Sequence, residues 1–217
     1  MDYNQIAKEN DMEGEELLID QAVYLEAGVH IGTKITTPGM RRFVYKIRED
    51  GLFLLNLGTI NDRIKLAAKM LAKFEPKQIV VTASRIYAIS AASKFAEATG
   101  ARVLAGRIMP GIFTNPKRDD YSEPGIMLIS DTRNERQAIR EASKTSIPTI
   151  ALCDTDNLIK YVDFIIPCNN KGRRSLALVY FLIAREFLKE KGLIKSNEEF
   201  TYKISDFEAK LEMKAGQ

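Results

Sequence analysis

The chain contains no tryptophan, a single histidine and only two cysteines. Each scarcity removes a class of function. His30 is the one imidazole available, set in Gly28-Val29-His30-Ile31-Gly32, and no serine or cysteine nucleophile motif accompanies it. A histidine triad is therefore not indicated; a lone histidine between glycines reads as a turn residue or a phosphate contact. Cys153 and Cys168 stand 15 apart without a CxxC or histidine companions, which fits buried, reduced thiols better than a zinc site or a disulfide. No apolar run approaches the roughly 18 residues that a bilayer requires, so the membrane is excluded as a home. The first residues are acidic where an export signal would be basic and then apolar. The expected location is cytoplasmic.

The remaining composition is ordinary for a folded domain: 45% hydrophobic, 28% charged, in 217 residues. One core with appendages accounts for that length. Charge is distributed unevenly. Residues 1–20 hold seven of the 29 acids and one of the 32 basic residues, so the rest carries 31 basic against 22 acidic, a net +9. A basic body with an acidic arm suits an anionic partner, although a solvated surface would look the same.

Apolar periodicity begins near Leu17, with Leu17, Leu18, Ala22 and Leu25 at helical spacing, and Gly28 ends that helix. Strands are predicted over 43–47 and 52–57. A helix capped by Thr59 should run to residue 74, with Pro76 marking its end. Strand 79–82, helix 86–98, strands 103–105 and 126–129, helix 134–144, and strands 149–152 and 164–166 follow. The Thr132 to Glu135 spacing reads as a capping box. A long apolar helix capped by Ser175 should reach about residue 189, and the charged tail from Ser196 should form a peripheral helix. Short, wholly apolar strands alternating with helices call for a parallel sheet buried on both faces. The expected fold is α/β, a three-layer doubly wound, flavodoxin-like, mainly parallel sheet with flanking helices. It comprises an arm (1–16), a body (17–192) and a tail (193–217). Function in such folds sits where the strands' C-terminal ends open into loops.

Two motifs bear on chemistry. Gly106-Arg107-Ile108-Met109-Pro110-Gly111 has the GxxxxG spacing of a phosphate loop, but Ile112 and Phe113 stand where lysine and serine or threonine are needed, and Pro110 lacks an amide donor. No GxGxxG follows a strand. Asp154-Thr155-Asp156 resembles a phosphatase nucleophile and magnesium site, yet it comes late in the chain rather than on the first strand. These leave a flavodoxin-like nucleotide-binding domain or a phosphatase-like enzyme as the competing reading.

Basic segments carry the stronger case. Lys34, Arg41, Arg42, Lys46 and Arg48 fall in a stretch without an acid, interleaved with Phe43 and Tyr45 as stacking partners. Arg102, Arg107, Lys117 and Arg118 form a second acid-free stretch. Lys171, Arg173 and Arg174 form a third beside Asn169 and Asn170, and Arg85 and Arg133 follow two further strands. Each alone is a solvated loop. Gathered on one sheet edge, they favour nucleic acid.

Three longer segments carry a family resemblance. Tyr24-Leu25-Glu26-Ala27-Gly28-Val29-His30-Ile31-Gly32 is the first, and Gly106 to Pro116, containing Gly-Arg-x-x-Pro-Gly-x-x-Thr-Asn, is the second. The third passes from Pro124-Gly125-Ile126 through Ala138-Ile139-Arg140-Glu141-Ala142 and Ile147-Pro148-Thr149 to Cys153-Asp154-Thr155-Asp156, ending at Pro167-Cys168-Asn169-Asn170. In this order they resemble the S-two family of small-ribosomal-subunit proteins over about residues 17–190. Only ten residues, 116–125, separate Asn115 from Ile126, where bacterial members carry a helical hairpin, so the chain resembles the archaeal and eukaryotic type. Ile108 stands where relatives often have an aromatic residue. The resemblance implies a non-enzymatic constituent of the small ribosomal subunit, binding its RNA and neighbouring proteins as a single copy, without cofactor or metal. The residues assigned to RNA contact are Lys34, Arg41, Arg42, Arg107, Lys117, Arg118, Lys171, Arg173 and Arg174.

Overall fold

The computed structural model describes residues 17–209. The acidic arm lies outside the described residues. Helix α1 (Gln21–Ala27) ends at Gly28, whose φ of 67° places its amide over the Leu25 and Tyr24 carbonyls. This is the left-handed stop that glycine adopts at least cost. Leu17 and Leu18 precede the helix instead of joining it, because the Leu18 amide donates to the Asn61 side chain. An antiparallel hairpin follows, β1 (Val44–Ile47) and β2 (Phe53–Leu55), and then helix α2 (Leu57–Leu71). Asn56, not Thr59, caps α2: its side chain accepts the Thr59 amide. Thr59 is thus the residue being capped.

The remaining strands form one parallel sheet: β3 (Ile79–Ala83), β4 (Arg102–Ala105), β5 (Ile126–Ile129), β6 (Thr149–Cys153) and β7 (Phe164–Pro167), in spatial order β4-β3-β5-β6-β7. Every residue of β3, β5 and β6 is buried, as a sheet covered on both faces demands. Helix α3 (Ile86–Thr99) carries the chain outward from β3 to β4, and helix α4 (Arg136–Lys144) carries it the opposite way from β5 to β6. Right-handed crossovers therefore put α3 and α4 on opposite faces. The α3 face also holds α2 and helix α5 (Arg173–Glu190), so the doubly wound, three-layer α/β expectation holds.

Two sequence-based cap assignments fail for one reason. Ser175 lies inside α5 and donates to the Asn169 carbonyl, while Thr132 and Glu135 form no capping box because the Glu135 carboxylate turns toward the sheet. In both places another partner outcompetes the expected cap, distant in sequence for Glu135 and six residues earlier for Ser175. From Ser175 to Arg185 every residue of α5 is buried, which explains its apolar composition all round. Its outer side is covered by residues 200–209, where Phe200 and Phe207 stack on Phe181 and short helix α6 (Ile204–Phe207) packs down. Cys153 and Cys168 are buried free thiols. Among the described residues no helix is long and apolar enough to cross a membrane.

Candidate nucleic-acid interface

Parallel doubly wound sheets bind ligands where neighbouring crossovers diverge, here between the C-terminal ends of β3 and β5. That crevice is occupied by the chain itself. Glu135, 2% exposed, accepts from Thr82 Oγ1 at 2.6 Å, from Ser84 N and Oγ at 3.1 Å each, and from Ser130 N at 3.0 Å. Burial pushes its carboxyl up to about 8; the Thr82, Ser84 and Ser130 donors act against that rise and the charge of Asp131 adds to it. Asp131 is buried alongside, accepting Arg85 Nε at 2.8 Å and Asn157 Nδ2 at 2.9 Å. The Ser84 and Ser130 amides, which could face a phosphate, are already engaged by Glu135.

The loop after β4 is closed in the same way. Gly106 and Gly111 take φ values of 82° and 93°, turning the amides of Gly111 and Phe113 inward to Glu141 on α4 at 2.7 and 3.1 Å. Thr114 Oγ1 and Gln137 Nε2 donate to the same carboxylate. Burial raises its pKa, but these donors outweigh burial and hold it below the usual glutamate range. The GxxxxG loop is therefore built around an internal carboxylate. The sequence signal for such a role is an acid flanked by Ala138, Ile139 and Ala142 on the apolar face of a helix, a signal that charge counting alone passes over.

The glycine signature packs on the loops after β6 and β7. Asn169 N donates to Val29 O and Asn169 Nδ2 to Gly28 O, while Thr33 N and Thr37 N reach Thr155 Oγ1 and O. A Cβ at Gly32 would meet Thr155 Cγ2 at 2.5 Å and Phe53 O at 2.9 Å, so the close approach excludes any side chain there. His30 is partly buried, and that burial lowers its pKa against the opposing Tyr24 backbone. Asp154 and Asp156 share one ammonium: Lys171 Nζ lies 3.1 Å from Asp154 and 2.8 Å from Asp156. Burial raises the Asp154 carboxyl while Lys171 opposes the rise. The Asp-x-Asp pair thus serves as an ion-paired clamp between two loops.

The nine residues assigned to RNA contact divide into two groups. Arg118 forks onto Asp120, Lys171 holds the aspartate pair, Arg173 reaches Glu208 at 3.4 Å, and Arg174 reaches Glu26 at 3.3 Å. Lys34, Arg41, Arg42, Arg107 and Lys117 are exposed and have no acidic partner among the described residues. The segment carrying Lys34 is tied to the end of β6 through Thr33 and Thr37, and Arg107 follows β4. Both therefore belong to the C-terminal edge of the sheet. Phe43 does not offer a stacking face: it is 3% exposed and lies beneath the guanidinium groups of Arg42 and Arg63. Tyr45 remains exposed.

The profile of the family described as Ribosomal protein S2 matches residues 117–189. Small ribosomal subunit protein uS2 of Saccharolobus solfataricus is 48% identical over 196 residues, covering 90% of this chain and 85% of the relative. The protein of the same name from Thermoplasma acidophilum is 48% identical over 197 residues, covering 91% of this chain and 99% of its own length. That of Methanococcus maripaludis is 44% identical over 191 residues, covering 88% and 86%. With identity at this level over most of both lengths, the chain belongs to the uS2 family of ribosomal proteins, in its archaeal form.

Proposed function

We propose that the protein is a structural constituent of the small ribosomal subunit in the cytoplasm, holding ribosomal RNA through basic side chains on the C-terminal edge of its sheet. The observation that carries this reading is the division just described: the edge's interior carboxylates are met by donors within the chain, whereas Lys34, Arg41, Arg42, Arg107 and Lys117 are exposed without acidic partners. Uncompensated cations on a rigid rim suit phosphates, since each neutralised phosphate releases counterions. Arg118, Lys171, Arg173 and Arg174 have intramolecular acids to trade for phosphate and rank below the free five. The acidic arm 1–16 and the charged C-terminal tail are assigned to basic neighbouring proteins rather than RNA; removal of residues 1–16 should abolish specific protein crosslinks. The protein acts as a single copy and is not an enzyme.

The test is co-sedimentation with small ribosomal subunits. Recovery in the subunit fraction at low salt, lost steeply as salt rises, is the expected result; finding the chain wholly in the free fraction at every salt concentration would sink the reading.

A further inference from the structure

Helix α4 turns Ala138, Ile139, Glu141 and Ala142 inward and leaves Arg136, Arg140 and Lys144 exposed. Those three stand at i, i+4 and i+8, one above another at about 6 Å per step. None of them has an acidic partner among the described residues, and the one acid on the helix, Glu141, is committed to the loop 106–118. Like charges four residues apart repel, so the stripe weakens its own helix unless an anion lies along it.

The loop beside this stripe completes the surface. Leu158 is 58% exposed and Tyr161 is 51% exposed. Tyr161 holds a φ of 66°, an uncommon conformation for a bulky residue. Lys160 Nζ lies 4.9 Å from the centre of its ring. Three adjoining clefts of about 240, 370 and 430 Å³ all have Tyr161 in their walls, and the first two also have Arg140. The nearby Asp163 carboxylate is occupied by the Thr149 amide and hydroxyl.

We propose that the face formed by α4 and residues 158–163 is an RNA-binding surface. It seats an unpaired strand with phosphates along Arg136, Arg140 and Lys144 and a base stacked on Tyr161. The proposal rests on the ribosomal RNA reading above and adds a surface which that reading did not include. Charge complementarity selects the occupant. Guanidinium forks suit phosphate oxygens, and an exposed phenol ring flanked by cations is a stacking platform that accepts any base. An acidic peptide would satisfy the charges but leave the ring and its clefts unexplained. Through Glu141 the helix also contacts the loop bearing Arg107 and Lys117, so the strand has a route from one set of cations to the other.

The test uses the full chain and a fluorescein-labelled oligouridine of about 12 nucleotides, read by anisotropy across salt concentrations. The variant R136Q/R140Q/K144Q should bind at least about tenfold more weakly and lower the log–log salt slope by about 2, near 0.7 for each phosphate. Tyr161→Gly, which relieves the backbone, should weaken binding about fivefold or more with the slope unchanged, while Tyr161→Phe binds as wild type. Wild-type binding by both the triple variant and Tyr161→Gly, alongside loss in R41Q/R42Q/R107Q, overturns this inference and leaves the proposed function standing. A wild-type chain that binds neither the oligouridine nor small-subunit RNA overturns both. A benzophenone photocrosslinker at position 161 that marks protein rather than RNA in the assembled subunit also overturns this inference.

Discussion

The interior of the sheet's C-terminal edge and the rim of exposed basic loop residues both carry charge and treat it oppositely. Inside, Glu135, Glu141, Asp154 and Lys171 are each met by two or more partners within the chain. Among the exposed basic residues of the rim, Lys34 and Arg107 at that edge together with Arg41, Arg42 and Lys117 have no acidic partner among the described residues. Charge inside the edge is spent on holding loops together, and charge on the rim is left for something else. Substitutions should therefore separate cleanly: stability should respond inside, and salt-dependent binding should respond outside.

Glu141→Ala should break the inner half most severely. It strands the Gly111 and Phe113 amides and should cost about 3 kcal/mol in chemical denaturation, with new protease cleavage within residues 106–118. Lys171→Met leaves Asp154 buried beside Asp156 without a cation. Because Lys171 is about a third exposed, the expected cost is about 2 kcal/mol, less than for a fully buried pair, and a double variant with Asp154→Asn should recover part of it. Gly32→Ala forces a methyl group against Thr155 and the Phe53 carbonyl and should cost about 1.5 kcal/mol.

Glu135→Gln tests the inner edge by pH. Between its ordinary 4.5 and about 8, folded Glu135 keeps a proton that the unfolded chain has released. Its contribution to stability is thus complete below about 4.5 and is lost as pH rises through about 8. The stability of wild type relative to the variant should fall across that window, and a pH-independent difference would show the carboxyl to be ionised throughout. The smallest effect on stability belongs to the rim. Lys34→Gln, Arg41→Gln, Arg107→Gln and Lys117→Gln combined should leave the unfolding midpoint nearly unchanged, within about 0.5 kcal/mol, while flattening the salt slope of RNA binding by about 3. A rim variant that unfolds early would erase the distinction between the two regions.

The sheet was legible in the sequence because strands buried on both faces must be continuously apolar, as Ile79 to Ala83, Ile126 to Ile129 and Thr149 to Cys153 are. Caps were less legible. Thr59, Ser175 and the Thr132 with Glu135 pair all have suitable chemistry, and each lost to a partner distant in sequence or to a better neighbour. Charge runs singled out the basic segments but could not reveal which cations had partners. Arg174 and Glu26 are 148 residues apart, and Arg173 meets Glu208 only because the tail folds back over α5. Phe43 misled for a similar reason: an aromatic residue beside arginines reads as a stacking platform until the packing shows it buried beneath them.

Glu135, just before α4, fills the crevice where nucleotide-binding domains of this architecture hold an anion from solution, and Glu141, on α4, fills the loop after β4. A domain that fills these places with its own carboxyl groups has no empty ligand site to order. Adding nucleotide or phosphate should leave its melting temperature unchanged, and the chain can reach an assembling particle already in its final shape. Its recruitment would then proceed at the pace of encounter between preformed surfaces, without a folding step coupled to docking.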